Sequence, residues 1–522
     1  MKLTITVLRG SMIVVPPHPE LSSILSYRYQ YKQDTYPYKM TSEKVVLCDI
    51  KNERAATFPG LLETLKKGLA KRGIKFEVVD KRKLECSPDF SALDGKSMRP
   101  GQEETFAYLA TKQCGMINCP TGYGKSFVIT HLPLVFPGTR ILVVTTKSEA
   151  LRGLYERSVE VCGDKALICK VSGEAKAKYR ADADLIVCSA QSMHQIPSDW
   201  PQLVVYDECH GAATNTVTPQ LDRFIHYARM FGMSASPTGR QDGADLLVQA
   251  YFGPVIQEVS YEEGVAHGAV VPLRCIIYTV RGPDVRPGRN NAETEREAYW
   301  RNDLRNDAIR DACAELFKPT DQILLICKTA EHVLELWKRF PEASLVLGDL
   351  SKDKKLKLVK DGIILESQIP IIEAFEPKAI EKSMNEQKTR VTIATTKWSE
   401  AVDLPYLLAV IRCDGTQGLI MATQVAGRTS RKGTAEGILV DFYDDFGPTY
   451  VRRSANRISQ YKHHRFPIEY KNQEGTTTHG KQRPPIRHGG DSNLPIPDGG
   501  TQHTRAAGGF VPARTRRQAD GS

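Results

Sequence analysis

Lys125 and Ser126 close the stretch Cys119-Pro-Thr-Gly-Tyr-Gly-Lys-Ser126, whose spacing could cradle a chain of phosphates. An apolar run, Gly115-Met-Ile-Asn118, precedes it, and a helical pattern, Phe127-Val-Ile-Thr-His-Leu132, comes after it. In a strand–loop–helix context, backbone N–H groups and the helix N-terminus can hold anionic oxygens. Lys125 would reach the β- and γ-phosphates of ATP, and the Ser126 hydroxyl would meet Mg²⁺. Cys119 stands where the strict pattern has Gly, and an ordinary glycine-rich turn would read the same way. The second stretch is Val205-Tyr-Asp-Glu-Cys-His210. The run Leu203-Val-Val-Tyr206 places Asp207 and Glu208 at the carboxyl end of a buried strand, where open α/β sheets bind ligands. One carboxylate there can hold Mg²⁺ and the next can orient or deprotonate a water. Two acids after a strand can equally be a solvated cap; a phosphate loop upstream tips the balance toward chemistry.

The elements that must position these groups repeat along the chain. Arg140–Thr145, Ala183–Cys188 and Leu203–Tyr206 are apolar or β-branched runs separated by helical stretches, which predicts a parallel sheet over 98–270. The pattern restarts after Val271-Pro272 with Cys275–Val280, Ile323–Cys327, Ser344–Leu347, Val391–Thr395, Leu407–Arg412 and Gly437–Phe442, predicting a second parallel sheet over 271–470. Ahead of both, residues 1–97 read as a small α+β unit. In it Leu3–Leu8 and Met12–Val15 form a hairpin, and the helix Pro59–Arg72 puts Leu61, Leu62, Leu65 and Leu69 on one face. Lys66, Lys67, Lys71, Arg72, Lys75, Lys81, Arg82 and Lys83 crowd that helix and its exit, as a nucleic-acid contact or as a solvated face. Residues 471–522 are rich in Gly, Pro, Thr and Arg, the composition of a disordered basic tail.

The 522 residues suit about three structural units. A formal charge of +10 suits a polyanionic partner. Twelve scattered cysteines include no C-x-x-C pair, which argues against a zinc site or disulfide framework and for a reducing compartment. No apolar run reaches bilayer-spanning length, so no membrane role is expected, and the N-terminus lacks a signal-peptide layout.

Taken in order, the motifs resemble those of superfamily 2 helicases, particularly UvsW-like phage helicases and their relatives toward XPB and RecG. The resemblance covers roughly residues 98–450 and implies tandem RecA-like domains. Arg99-Pro-Gly-Gln102 resembles the adenine-reading segment, with Arg99 and Gln102 near the base. Cys119, Pro120, Thr121, Gly122, Tyr123, Gly124, Lys125 and Ser126 form the nucleotide loop. Thr145, Thr146 and Lys147, with Ser189 and Gln191 of Ser189-Ala-Gln-Ser192, resemble strand-end segments that touch a nucleic-acid backbone. Asp207-Glu-Cys-His210 and Ser234-Ala-Ser-Pro-Thr238 resemble the pair whose coupling runs through His210, Ser234 and Ser236. Thr395-Thr-Lys-Trp-Ser-Glu-Ala-Val-Asp403 supplies Thr395 and Thr396 to the strand and Asp403 to the ribose or the domain bridge; Ala401 stands where the family has Gly. Gln424, Arg428 and Arg431, at i, i+4 and i+7 of Gln424-Val-Ala-Gly-Arg-Thr-Ser-Arg431, fall on one helix face and resemble the arginine fingers that stabilise a transferred phosphoryl group.

The resemblance implies an ATP- and Mg²⁺-dependent DNA helicase or translocase working on single-stranded and branched DNA. It would move 3′ to 5′, as a monomer, in the cytoplasm (that of the host cell if phage-encoded). An RNA helicase of the same superfamily and an ATP-gated clamp that closes without unwinding remain the alternatives.

Overall fold

The computed structural model describes residues 2–32, 40–84, 86–120, 123–173, 178–235, 237–238, 240, 242–266, 268, 271–286, 288, 291–348, 350–396, 404, 406–415, 436–463, 465–472, 477–478 and 504–506. They form two compact units, one over 1–119, 124–258 and 494–522 and the other over 120–123 and 259–493.

The first unit is built on a seven-stranded, all-parallel sheet. Its order is Ile168–Val171, Leu185–Ser189, Ile141–Thr145, Leu203–Asp207, Arg229–Ser234, Cys114–Asn118 and Val255–Glu258. The inner strands are buried on both faces, so Ile141–Val144 and Leu203–Tyr206 are continuous apolar runs rather than alternating ones. Each such Leu, Ile or Val contributes roughly 1.5–3 kcal/mol by leaving water. Register decides what meets at the carboxyl edge: Asp207 pairs with Met233, and Ser234 pairs with Asn118. The ends of three strands, and the loop after Asn118, therefore converge.

The N-terminal residues fold as a mixed five-stranded sheet with the antiparallel hairpin Leu3–Val7 and Met12–Val15 at its heart, plus a second hairpin, Ser26–Lys32 and Met40–Val46. The helix Leu62–Lys71 follows directly on the short turn Pro59–Leu61 and buries Leu65 and Leu69. This layer shares its core with the seven-stranded sheet. Leu3, Ile5, Leu61 and Leu65 belong to one continuous cluster with Val204, Val248 and Phe252. Phe58 meets Tyr251 edge-to-face at 5.2 Å, and Gln249 donates to Thr64 at 2.7 Å.

In the second unit seven parallel strands run Ser344–Val346, Val391–Thr395, Ile323–Cys327, Ala409–Arg412, Gly437–Asp445, Leu273–Arg281 and Ile468–Asn472, with Thr477–Thr478 added antiparallel. Apolar clusters cover its two faces. Among the described residues, three of its arginines lie fully buried. Arg305 and Arg457 share Asp444 at 2.7 and 3.2 Å, Arg457 also reaches Asp441 at 2.9 Å, and Arg412 pairs with Asp414 at 3.1 Å. Carbonyl partners add to two of these pairings: Arg305 donates to the Cys413 carbonyl and Arg457 to that of Gly415. Of the predicted tail, Lys471 and Asn472 complete a strand of this sheet and Thr504–Ala506 pairs with Lys44–Val46; most of the rest lies outside the described residues.

Candidate active site

Gly124 starts the helix Lys125–Val135 with φ near +99°, a conformation that L side chains rarely adopt. A Cβ there would also stand 2.5 Å from the Gln102 amide nitrogen. Gln102 is buried, accepts from the Arg99 backbone at 2.8 Å and donates to the Gly124 carbonyl at 3.2 Å. It thus braces the loop, while the Arg99 side chain lies exposed beside it. Cys119 is buried, and burial pushes its thiol up to about 12; it behaves as a small apolar residue.

Lys125 points at the end of the neighbouring strand. Its Nζ lies 2.7 Å from Glu208 Oε1. Burial works against both charges, yet each holds the other: Lys125 stays above its ordinary pKa because of Glu208, and Glu208 stays below its own because of Lys125. Asp207 is displaced the other way. Burial, then the adjacent Glu208 charge, pushes it up to about 6. The two neighbouring carboxylates therefore differ in protonation behaviour, the pattern that separates acid, base and ligand roles.

Glu208 adopts a left-handed conformation, φ 56° and ψ 53°. That turns the chain sharply into Cys209–Gly211 and carries His210 back to the strand Arg229–Ser234. Ser234 Oγ donates to Glu208 Oε2 at 3.2 Å, and His210 Nδ1 lies 2.9 Å from the same hydroxyl. Because the hydroxyl proton goes to Glu208, Nδ1 must carry the proton of the second contact and donate it. Burial holds His210 below its ordinary pKa, so the ring is neutral. Arg240 donates to the His210 carbonyl and pairs with Asp242. Arg240 has no place in the motifs read from the sequence; its signal is only a basic residue shortly after Ser234.

Lys125, Glu208, Ser234 and His210 thus form one hydrogen-bonded chain, with Ser126 and Asp207 beside it in sequence. Oxygen donors of the Ser126 and Asp207 kind fit Mg²⁺, and the positive φ of Gly124 leaves the backbone free to approach phosphate. Pro120 and a buried Tyr123 flank Thr121 and Gly122, which lie outside the described residues, as do Ser236, Asp403, Gln424, Arg428 and Arg431. Thr145 pairs with Ser189 at the same carboxyl edge. The Thr145 side chain is buried, Thr146 and Lys147 are half-buried, Gln191 is exposed, and Ser189 bonds Ser192 at 2.8 Å. In the second unit Thr395 ends a strand opposite Cys327, and Thr396 comes directly after it.

Residues 95–239 match the family model described as Type III restriction enzyme, res subunit. The chain is similar to "Putative helicase 055L" of Frog virus 3 (isolate Goorha), 24% identical over 253 residues, which are 45% of this chain and 55% of that protein. The match therefore spans about half the length of that relative. Among solved structures, T4 UvsW is 17% identical, covering 90% of this chain and 99% of that one, with a TM-score of 0.39. S. cerevisiae Dbp5 bound to RNA and ADP BeF3 is 16% identical, covering 73% and 91%, with a TM-score of 0.48. The segment that matches the res-subunit family contains the loop Cys119–Ser126, the Asp207–His210 segment and Ser234.

Proposed function

We propose that this chain couples ATP hydrolysis to movement along nucleic acid, and that it is a DNA helicase or translocase acting on branched intermediates, moving 3′ to 5′. The observation that carries the reading is the connected chain Lys125–Glu208–Ser234–His210 at the carboxyl edge of a parallel sheet, inside the segment that matches the res-subunit family. The steps derive from these contacts. Incoming phosphates compete with Glu208 for Lys125, which exchanges one anionic partner for another. Released from Lys125, Glu208 keeps its bond to Ser234 and is free to orient the attacking water and take its proton. His210 and Ser234 pass that change to the end of the strand Arg229–Ser234. Asp207 and Ser126 would hold Mg²⁺, which would supply neutralising charge at the phosphates. Gln424, Arg428, Arg431 and Asp403 are proposed to complete the site from the second unit, so that hydrolysis requires the units to close and reopen. Contacts to backbone phosphate from the 145–147, 189–191 and 395–396 segments give weakly sequence-dependent binding.

The test is ATPase activity against single-stranded, duplex and forked DNA and RNA, together with strand displacement. We expect the largest stimulation by forked DNA. Stimulation by RNA alone would overturn the DNA assignment, and ATP-dependent binding without displacement would make the protein a clamp. Lys125→Ala should abolish nucleotide binding while Glu208→Gln keeps binding and loses turnover; near-normal turnover in both removes the proposed site.

A further inference from the structure

Arg240 belongs to none of the motifs above, yet it grips the segment that links them. Its side chain, 16% exposed, forks onto Asp242: Nε reaches Oδ1 at 2.9 Å and Nη2 reaches Oδ2. The remaining corner, Nη1, donates to the His210 carbonyl. His210 is therefore held at two points, its ring by Ser234 and its main chain by Arg240. The second hold matters because the turn Cys209–Gly211 comes directly after the left-handed Glu208 and sets where the ring points. Arginine suits this place. Its planar fork grips a carboxylate with one edge and a carbonyl with another, in a fixed geometry that a lysine's point charge does not impose.

The turn around Asp242 closes without that guanidinium. Gly243 donates to the Arg240 carbonyl at 3.2 Å, Ala244 donates to Asp242 Oδ1 at 3.1 Å, and the Arg240 N–H donates to Asp245 Oδ1 at 3.0 Å. The reach of Nη1 to a residue 30 positions earlier is additional. Through its main chain the same turn meets the N-terminal layer. The Gln30 N–H of the strand Ser26–Lys32 donates to the Asp242 carbonyl at 3.0 Å. Beside it the Arg28 carbonyl lies so close to Gly243 that a Cβ there would collide with it. The strand is itself anchored: Tyr27 and Tyr29 pack against the core that the layer shares with the parallel sheet, and Leu25 and Leu47 lie inside that core. Asp242 is thus fixed to the hairpin by its main chain and to Arg240 by its side chain. One hydrogen-bonded path runs from the hairpin through Asp242 and Arg240 to His210, Ser234 and Glu208.

We propose that Arg240 is a positioning residue for His210, and that the N-terminal hairpin sets its place through Asp242, so that this layer tunes how strongly nucleic acid stimulates ATP hydrolysis. The proposal rests on the nucleic-acid reading above. A displacement of the hairpin moves the Asp242 carbonyl, the Asp242 carboxylate carries Arg240 with it, and His210 loses or regains its main-chain hold. The path reaches His210 and Glu208 without passing through Gly124 or Lys125, so turnover responds while ATP affinity is spared.

The test uses the full chain carrying Arg240→Met, Gly243→Ala or both. ATPase is measured with saturating oligo-dT, with an RNA of equal length and with neither, beside ATP binding and thermal unfolding. Gly243→Ala sets one methyl group against the Arg28 carbonyl and leaves the Arg240 side chain as it is. We expect stimulation, the ratio of turnover with nucleic acid to turnover without it, to fall about tenfold in each single variant. The KM for ATP should stay within about twofold of wild type, the split expected when ground-state contacts to ATP are kept. The double variant should lose no more than the worse single one, because both changes break one path. Full stimulation in both single variants, while the wild type is stimulated, overturns the positioning role and leaves the helicase reading intact. Stimulation lost in Arg240→Met but full in Gly243→Ala overturns the hairpin's part. Losses that multiply in the double variant overturn the single path. A fall in ATP affinity and melting temperature that matches the fall in turnover shows a general loss of structure and also overturns the proposal. A wild-type chain that hydrolyses ATP but responds to neither strand overturns both readings.

Discussion

Changing Lys125 to Met should destabilise the first unit more than an ordinary surface mutation, and changing Glu208 as well should restore most of the loss. Nζ and Oε1 are 2.7 Å apart, with side chains 14% and 19% exposed. Removing one partner of a buried pair strands the other charge and costs about 3–5 kcal/mol, whereas replacing both can be close to neutral. This pair keeps some solvent, so the low end, about 3 kcal/mol, applies. In a unit of this size about 1 kcal/mol moves the melting temperature by roughly 2–4 °C, so Lys125→Met should lower it by roughly 6–12 °C. Lys125→Met/Glu208→Gln should return most of that, giving a coupling of about 2 kcal/mol in a double-mutant cycle. The pH dependence has a definite sign. Glu208 is held below its ordinary value of 4.5, mainly by Lys125 against the opposing effect of burial. Its contribution is therefore present above about pH 4.5 and is lost as pH falls through the depressed value. The gap between wild type and Lys125→Met should be widest near about pH 7 and narrow toward about pH 4. Scanning calorimetry without nucleotide measures all of this. Additive single mutants, or a gap that does not change with pH, would refute the reasoning.

Asp207, pushed up to about 6 by burial and Glu208, behaves in the opposite sense: its contribution is present below about pH 4 and is lost as pH rises through about 6. Asp207→Asn should therefore raise the melting temperature at about pH 7.5, by up to about 3 kcal/mol in stability, and not at about pH 4; Mg²⁺ titrations should stabilise the wild type and not this variant. Arg428→Ala and Arg431→Ala should each lower ATP turnover by roughly 10³-fold with a smaller effect on ATP affinity, measured by single-turnover hydrolysis and equilibrium binding; full turnover in either removes that arginine from the site. Charge reversal at Lys66, Lys67 and Lys71 should weaken binding to forked DNA and flatten its salt dependence by about 0.9 per lost duplex contact, with basal ATPase unchanged. Equal fork unwinding by that variant would make the N-terminal layer purely structural.

Both parallel sheets were legible because strands buried on two faces are continuous apolar runs, and Ile323–Cys327 and Val391–Thr395 fall where the sequence predicts them. The strand Arg229–Ser234 escaped notice. It opens with an arginine that spends its charge on the Leu109 carbonyl and carries a glycine in its middle, so its composition hides its burial. Arg305, Arg412 and Arg457 escaped for the same reason: a buried arginine reads as surface until its carboxylate partners are located in the fold. The N-terminal residues read as a separate unit because local pattern cannot show that Phe58 and Leu61 complete a core shared with Tyr251 and Phe252. Deleting them would open that core, which is why charge reversal, rather than truncation, tests their role. Lys125, Asp207, Glu208 and His210 were legible as motifs, and the resemblance put His210 with Ser234, but the bonds of Glu208 to Lys125 and to Ser234 were not legible. They depend on backbone conformations that propensity argues against.

Those conformations show how the site is held. Glu208 occupies left-handed space at a cost of roughly 1–2 kcal/mol for a residue that is not glycine. A glycine there would relieve the strain and lose the carboxylate that binds Lys125 and Ser234. The strain is tolerated because those contacts exceed it, and because the turn it makes is locked from the other side. Cys209, the next residue, is fully buried, and a Cβ on Gly232 of the neighbouring strand would come within 2.7 Å of its Sγ. Gly232 therefore makes room for Cys209, Cys209 fixes the turn, and the turn delivers His210 to Ser234. A side chain at Gly232 that touches no ligand would thus push His210 away from Ser234. Its effect should fall on the coupling between hydrolysis and nucleic acid more than on the ATP binding proposed for Gly124 and Lys125, which lie after the strand Cys114–Asn118 on the other flank of the same edge.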